Sequence, residues 1–362
     1  MKLIILCIFI LVFFNFILLS NCDDNKECDE NGVCENNNTD TDTAETEIVD
    51  GVKIPKGANS EGKPKEVSKN ICEDRTPRCK QYSRQGECDK NPGWMVVNCP
   101  KSCNACHLLD PKIRCDRNRL NMSTSPIYAP GDMDSMFENI ERDFGDKYNI
   151  NIISRSPWIV TFDNFMTDME AEALIKTVEG TWERSTDTGK VNEYGETGRV
   201  VSQSRTSSNA WCRYNCENDP HVKAITKKIE DITRVPQENY ESFQVLRYEI
   251  GQKYNAHHDM SPRQVLLACG PRILTFFLYL SDVEEGGETA FPHLNIAIKP
   301  KKGSALLWPS TLNDNPEMID QRTTHEARAV VKGQKYAANT WIHLYNFQQP
   351  NLHGCTGTFD NV

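Results

Sequence analysis

Basic charge is in short supply in this 362-residue chain: 41 Lys and Arg stand against 51 Asp and Glu, a formal net charge of -10. That balance excludes a generic nucleic-acid surface, which needs clustered Lys and Arg to face phosphates. It leaves room for a basic or neutral polypeptide partner. Histidine is scarcer still, at eight residues, so a metal centre built on imidazole has few candidate ligands. Large apolar residues are thin between positions 22 and 70, where Asp, Glu, Asn, Thr, Lys and Gly dominate. Such a stretch cannot bury enough surface to fold alone and reads as an acidic low-complexity linker. Its three cysteines, Cys22, Cys28 and Cys34, are too few to close a disulfide module.

An apolar run from Leu3 to Leu19, broken only by Asn15, opens the chain. It suits the hydrophobic region of a secretory signal and is short for a membrane span of roughly 20 residues. Residues 1–21 are therefore expected to be a signal peptide or an uncleaved signal anchor, with membrane attachment only in the second case. Either route places the rest of the chain in the secretory pathway, with the lumen of the endoplasmic reticulum as the expected compartment. Fifteen cysteines are present. Fourteen lie beyond the leader, an even number compatible with complete pairing in an oxidising compartment. Asn37 and Asn121 open glycosylation sequons.

Six cysteines crowd into "CEDRTPRCKQYSRQGECDKNPGWMVVNCPKSCNAC", from Cys72 to Cys106, with Trp94, Met95, Val96 and Val97 as the chief apolar side chains. A core that small needs covalent staples. Spacing alone leaves the connectivity open. The order, with "GECDKNPGWM" ahead of "NCPKSCNAC", resembles the ShKT (sea-anemone toxin-like) domain, expected over residues 71–107. The resemblance implies the pairs Cys72–Cys106, Cys79–Cys99 and Cys88–Cys103. Lys80 and Tyr82 do not occupy the places of the channel-blocking pair of some members. A structural or protein-docking appendage is the expected role.

Residues 108–155 read as a polar connector with a weakly helical patch at "MDSMFENIERDF". In "TDMEAEALIKTVEG", Thr167 and Glu170 stand at capping-box spacing and predict a helix that stops at Gly180. In "NDPHVKAITKKIEDITR", Asp219 is an N-cap, Pro220 the first helical residue, and Val222, Ile225, Ile229 and Ile232 an apolar stripe. Strand patterns follow: "FQVLRYEI", "RILTFFLYL", "IAIKP", "SALLW", "ARAVV" and "YAANTWIHLYNF". Helices followed by β-rich segments with Gly and Pro turns predict an α+β fold built on an antiparallel sandwich or jelly roll (double-stranded β-helix) with flanking helices.

In "QKYNAHHDMS", His257 and Asp259 are separated by one residue. At the end of a strand, positions i and i+2 share a face, so both reach one ion while His258 faces away. His325, at the head of a later strand in "THEARAVVKGQKYAANTW", supplies a third ligand from a strand that a jelly roll brings close. Two histidines and one carboxylate form the face that leaves open positions on non-haem Fe(II). Those positions suit the keto-acid end of 2-oxoglutarate and O2. Lys335, just past the "KGQ" turn, is placed to meet the far carboxylate of that cosubstrate.

From about residue 156 to 348, the chain resembles the catalytic domain of the prolyl 4-hydroxylase family of Fe(II)/2-oxoglutarate dioxygenases. The motifs are "RTSS" at Arg205–Ser208, "FQVLRYEIGQKYNAHHD", "LYLSDVEEGGETAFP", "KPKKGSALLW", the His325 to Lys335 spacing and "NTWIH". The resemblance implies iron on His257, Asp259 and His325, and the 2-oxoglutarate C5 carboxylate on Lys335, Tyr248 and Thr289. It also implies peptide-groove roles for Glu241, Tyr254, Arg272 and Trp341, with the aromatics holding a proline ring and polyproline-II backbone. The implied reaction is hydroxylation of peptidyl proline in Pro-rich polypeptides such as procollagen, giving 4-hydroxyproline, succinate and CO2, with L-ascorbate maintaining the iron. Competing readings keep the site but change the substrate, or make the chain a non-catalytic secreted ShKT-bearing binding protein. His258, His293, His343 and His353 are expected to be structural. Cys212 and Cys216 are expected to clip the loop after "RTSS", Cys269 to pair with Cys355, and residues 349–362 to form a strap over the barrel.

Overall fold

The computed structural model describes residues 72–357 and the backbone of two strands, Thr46–Val49 and Val52–Pro55. The leader, Cys22, Cys28, Cys34, the Asn37 sequon and residues 358–362 lie outside the described residues. The segment expected to be a bare linker carries those two strands as an antiparallel hairpin. The local sequence "TEIVDGVKIP" explains it: β-branched residues flank an Asp-Gly pair, a strong short-range hairpin signal.

In the cysteine-dense segment, disulfides join Cys72 to Cys106, Cys79 to Cys99 and Cys88 to Cys103. They close around a core of Cys79, Met95 and Cys99, with Tyr82 and Trp94 packed at its side. Short helices at Cys79–Arg84, Glu87–Lys90 and Pro92–Asn98 supply these residues.

The rest is built on two antiparallel sheets. The larger has eight strands in the order Ile150–Arg155, Trp158–Phe162, Ala305–Pro309, Arg272–Tyr279, Lys335–His343, Gln244–Tyr248, Ser208–Trp211 and Glu183–Arg184. The smaller has four, in the order Tyr254–His257, His325–Ala327, Thr289–Phe291 and Ile296–Ile298. Each face of the large sheet is covered. Val160, Phe162, Leu274, Phe276, Leu278 and Ala338 join the helices in one core. Their strand neighbours Ile159, Phe277, Tyr279, Trp308 and Ala337 meet Phe291 of the small sheet in a second core. Successive side chains of a strand point to opposite faces, so one sequence feeds two cores. This is the expected jelly roll with flanking helices.

The helices form as their end signals dictate. Glu170 N–H donates to Thr167 Oγ1 at 3.3 Å and Thr167 N–H to Glu170 Oε2 at 2.8 Å, closing the capping box of helix Asp168–Thr177. Asp219 Oδ1 accepts from His221 N–H at 2.8 Å and caps helix Pro220–Thr233, whose stripe of Val222, Ile225, Ile229 and Ile232 is buried.

Three expectations need correction. The weakly helical patch expected in the connector is a full 17-residue helix, Asp132–Tyr148, with Met133, Met136, Phe137 and Ile140 buried, and the outer strand Ile150–Arg155 follows it. Phe137 stacks on Trp158 with ring centroids 5.2 Å apart. The segment's polar composition hides a narrow but sufficient apolar stripe. A boundary at 156 would also split the paired strands Ile150–Arg155 and Trp158–Phe162. Second, "ARAVV" is not one strand: His325–Ala327 joins the small sheet, and Val330–Lys332 pairs instead with Glu285–Gly286. Third, Cys355 pairs with Cys115, not Cys269. Both partners sit in a small apolar cluster with Leu120 and Ala268, while Cys269 is buried and free with its Sγ near Gly270 O. The tail after helix Gln348–Leu352 is thus tied to the connector, and its Gly357 reaches the lining of the cavity. Cys212 and Cys216 do form a disulfide.

Among the described residues, no helix is long and apolar enough to cross a membrane. Phe137 distinguishes a spacer from a packed element. Phe137→Ala is expected to lower stability by about 3–5 kcal/mol, read from urea unfolding, whereas a solvated connector would tolerate the change.

Candidate active site

His257 ends the strand Tyr254–His257, Asp259 follows two residues on, and His325 begins the neighbouring strand. His257 and His325 are direct partners in the antiparallel register, which sets their imidazoles side by side with centroids 4.3 Å apart. One ligand atom from each of His257, Asp259 and His325 lies within 4.8 Å of the others. No other group of three His, Cys, Asp or Glu residues with this geometry occurs among the described residues.

The orientation of each ligand is held from behind. His257 Nδ1 is 2.9 Å from Asn255 O, and His325 Nδ1 is 3.0 Å from Thr323 O. A carbonyl can only accept, so each Nδ1 carries the proton and each Nε2 keeps its lone pair for a metal. The two Nε2 atoms face Asp259, at 3.9 Å from Oδ1 and 3.6 Å from Oδ2. Thr275, from the opposite sheet, donates to Asp259 Oδ2 at 2.6 Å. Burial and the neighbouring His325 hold the His257 imidazole well below its usual range. Burial would raise the Asp259 carboxyl, but His325, His257 and the Thr275 hydroxyl outweigh it and keep it low. A neutral His257 imidazole beside an ionised Asp259 carboxylate is what a metal requires of these two ligands.

His258 points elsewhere. Its Nε2 meets Asp320 O at 3.0 Å and Thr323 Oγ1 at 3.2 Å, bracing the turn that delivers His325.

The triad lines a cavity of about 430 Å³ together with Tyr248, Thr289, Glu241, Tyr254, Arg272 and Trp341. Lys335 lies behind this wall, fully buried, with Nζ donating to Gly287 O at 2.7 Å and the rings of Tyr248, Phe277 and Tyr279 5.4–5.7 Å away. Burial pushes its ammonium down to about 7, with Glu288 opposing the shift. An ammonium has three protons, so this cation has donors to spare for an anion. Thr289 Oγ1 accepts from Tyr279 OH at 2.9 Å, which frees its own proton to be donated.

Three of the residues expected in a peptide groove form one assembly. Arg272 donates to both carboxylate oxygens of Glu241, at 2.6 and 3.0 Å, and lies 3.6 Å over the Trp341 ring. His343 Nε2 completes it at 2.8 Å from Glu241 Oε1. Burial would raise the Glu241 carboxyl, but Arg272 and His343 outweigh it and hold it down at about 2. Tyr254 stands apart, stacked on the His257 ring at 3.6 Å with Arg205 4.7 Å over its ring. Two buried donors of the cavity lining, Trp341 Nε1 and Asn339 Nδ2, have no partner among the described residues.

Sequence reasoning missed the parts played by Thr275, Tyr279 and His343. The strand alternation could have found the first two, since Thr275, Phe277 and Tyr279 share the face that meets the small sheet. His343 carries no local signal, because its partner Glu241 lies on a separate segment. His293 and His353 take no part in the triad.

This fold and donor set define a 2-oxoglutarate- and Fe(II)-dependent oxygenase. In agreement, residues 243–343 match the 2OG-Fe(II) oxygenase superfamily and residues 71–106 match the ShK domain-like family. The chain is 36% identical over 228 residues to prolyl 4-hydroxylase 2 of Arabidopsis thaliana, covering 56% of this chain and 74% of that one. It is 34% identical over 207 residues to the probable prolyl 4-hydroxylase 9 of the same plant, covering 53% and 70%. A solved structure of viral collagen prolyl hydroxylase from Paramecium bursaria Chlorella virus-1 aligns at 26% identity and a TM-score of 0.41, over 53% of this chain and 98% of that one. The chain belongs to the prolyl 4-hydroxylase family.

The ligand arrangement predicts an ordered series of Fe(II) affinities, measured by anaerobic titration. His257→Ala is expected to abolish binding. Thr275→Val is expected to weaken it about 10–100-fold, as loss of a partner behind a metal ligand does. His258→Ala is expected largely to spare it, since His258 braces a turn without facing the ion.

Proposed function

We propose that the chain is a peptidyl-proline 4-hydroxylase of the secretory pathway, acting on Pro-rich polypeptides with 2-oxoglutarate and O2. The carrying observation is the alignment, in one cavity, of the His257–Asp259–His325 triad with a buried cation behind it and aromatic walls in front.

The donor set fits Fe(II): two imidazole nitrogens and one carboxylate, with the remaining positions free for a chelating keto acid. Iron held there with 2-oxoglutarate supplies the oxidising power that an unactivated carbon requires, and that chemistry belongs to the cofactor. The protein's own work is placement. Lys335, Tyr248 and Thr289 hold the far carboxylate of 2-oxoglutarate in a dry pocket where a cation–carboxylate bond is strong. Trp341 offers a flat face to a proline ring, Tyr254 borders the site from between His257 and Arg205, and Trp341 Nε1 and Asn339 Nδ2 offer donors to the carbonyls of an extended peptide. Glu241 and His343 fix Arg272, and Arg272 in turn fixes the plane of Trp341. Products are 4-hydroxyproline, succinate and CO2, and L-ascorbate restores iron lost to oxidation in uncoupled turnover.

The relatives named as prolyl 4-hydroxylases support the proline substrate. Five disulfides among the described residues support an oxidising compartment.

Incubation with Fe(II), 2-oxoglutarate, ascorbate and poly-proline or collagen-like peptides is expected to give peptide-dependent succinate together with hydroxyproline by mass spectrometry. Absence of product with every Pro-rich peptide, despite bound Fe(II), would overturn the reading. A second test uses Lys335. Its ammonium titrates near 7 rather than its ordinary 10.5 when no anion faces it, and a bound carboxylate raises it again. At mildly alkaline pH, 2-oxoglutarate binding should therefore take up a proton, and well below neutrality it should not. Calorimetry in buffers of different ionisation enthalpy measures that uptake, which Lys335→Met should remove along with most of the affinity.

A further inference from the structure

Part of the cavity wall is a projecting hairpin, Asp187–Val191 paired with Thr197–Val200. Asp187, Thr188, Val191, Thr197, Gly198 and Arg199 of this hairpin all line the cavity. Two strands alone are only marginally stable in water, and these carry no large buried side chain. Their base is tied by Ser202 and Ser204 to the Asp187 carboxylate. Their tip, residues 192–196, is held by elements outside the jelly roll.

Arg114 is the centre of that attachment. It is 1% exposed and lies in the connector after the disulfide-rich module. Its Nη1 donates to Leu108 O at 3.0 Å and Leu109 O at 3.4 Å, and its Nη2 to Tyr194 O at 2.6 Å and Gly354 O at 3.4 Å. One guanidinium thus joins the connector, the hairpin tip and the C-terminal tail through carbonyl acceptors. The rigid five-donor fork of Arg can serve all four carbonyls at once, one more than a Lys ammonium has protons for. The next residue, Cys115, is bonded to Cys355 of the tail, so the platform beneath the tip is covalently closed.

Two contacts extend it. Thr197 N–H donates to Gly357 O at 2.7 Å. From the module itself, the Arg75 guanidinium lies 4.3 Å over the Tyr194 ring. Gly195, at φ +81°, lets the tip sit close to Pro111; a Cβ there would come within 3.3 Å of Pro111 Cγ.

We propose that the disulfide-rich module and its connector act as a buttress for the 187–200 hairpin, with Arg114 as the positioning residue, so that they set the affinity for the polypeptide substrate and not the rate of the chemical step. The substrate part rests on the function proposed above. A hairpin pinned before substrate arrives removes an ordering cost that binding would otherwise carry. When the competent conformer is only a fraction of the population, apparent affinity falls by that fraction.

The test compares Arg75→Ala, Tyr194→Ala, Tyr194→Phe and Arg114→Met in the full chain, each checked for an unaltered unfolding transition apart from the hairpin. Amide hydrogen exchange over residues 187–200, measured without peptide, should quicken in Arg75→Ala, Tyr194→Ala and Arg114→Met. It should quicken less in Tyr194→Phe, which keeps the ring and loses only the hydroxyl's contacts with Glu193 and Arg75. Peptide KM should rise roughly two- to fivefold in Arg75→Ala, the effect of one exposed cation–π contact, and about tenfold in Arg114→Met. In all four, kcat and 2-oxoglutarate KM should hold. Where Arg114→Met does not fold, the variants at exposed Arg75 and half-buried Tyr194 decide. Native exchange in Arg75→Ala and Tyr194→Ala would overturn the buttress, and faster exchange with an unchanged peptide KM would overturn its role in affinity. A wild-type enzyme that turns over no peptide would count against the substrate reading instead, while the exchange measurement still decides the buttress.

Discussion

The strand Arg272–Tyr279 is buried along almost its whole length, and its register is the constraint on which the rest depends. Leu274, Phe276 and Leu278 face the helices. Thr275, Phe277 and Tyr279 face the small sheet, where Thr275 grips Asp259 and Tyr279 grips Thr289. A slip of one residue would exchange the two faces. It would send a large apolar side chain at the Asp259 carboxylate and put Thr275 among the Phe residues. Pairing with Ala305–Pro309 on one side and Lys335–His343 on the other prevents this. The same pairing carries Trp308, Asn339 and Trp341 to the cavity.

Around the cavity, charge is buried at three places, each balanced differently. At the triad, an ionised Asp259 stands between two imidazoles whose protons face backbone carbonyls, a state completed by a divalent cation. In the groove wall, Glu241 is satisfied within the protein by Arg272 and His343, so the assembly is rigid before any substrate arrives. Among the described residues, Lys335 has one carbonyl and no counter-ion in contact, and its lowered pKa is the cost of that isolation. A site that holds a cation in reserve for an incoming carboxylate gains selectivity for a dianionic cosubstrate, because a neutral ligand would leave the cation unpaired.

The disulfide-rich segment shows how little core a small module needs once it is stapled, and how such a module can still matter to a distant cavity. Its own interior is a handful of side chains around the sulfurs. Its reach comes from the connector behind it, where Arg114 and Cys115 gather three otherwise separate pieces of backbone. In the sequence these two residues are only part of an ordinary "IRC", since their partners Tyr194, Gly354 and Cys355 are remote in the chain.

Local physical rules make much of the protein legible in its chain alone. Capping-box and N-cap spacing place two helices, alternation places the central strands, and the i, i+2 rule separates His257 from His258 at once. The helix Asp132–Tyr148 shows in the sequence only as a weakly helical patch, because its six apolar residues stand among many charges, although they are enough once a sheet lies beneath them. What the sequence by itself determined was the local geometry of each element and the residue types able to bind a metal, because those follow from neighbours a few positions apart. Tertiary structure alone decided that His257 pairs with His325, that Thr275 and Glu241 find Asp259 and His343, and that Cys115 rather than Cys269 takes Cys355. Those choices depend on strand register and on which buried surfaces meet, and both are settled only when the whole chain packs together.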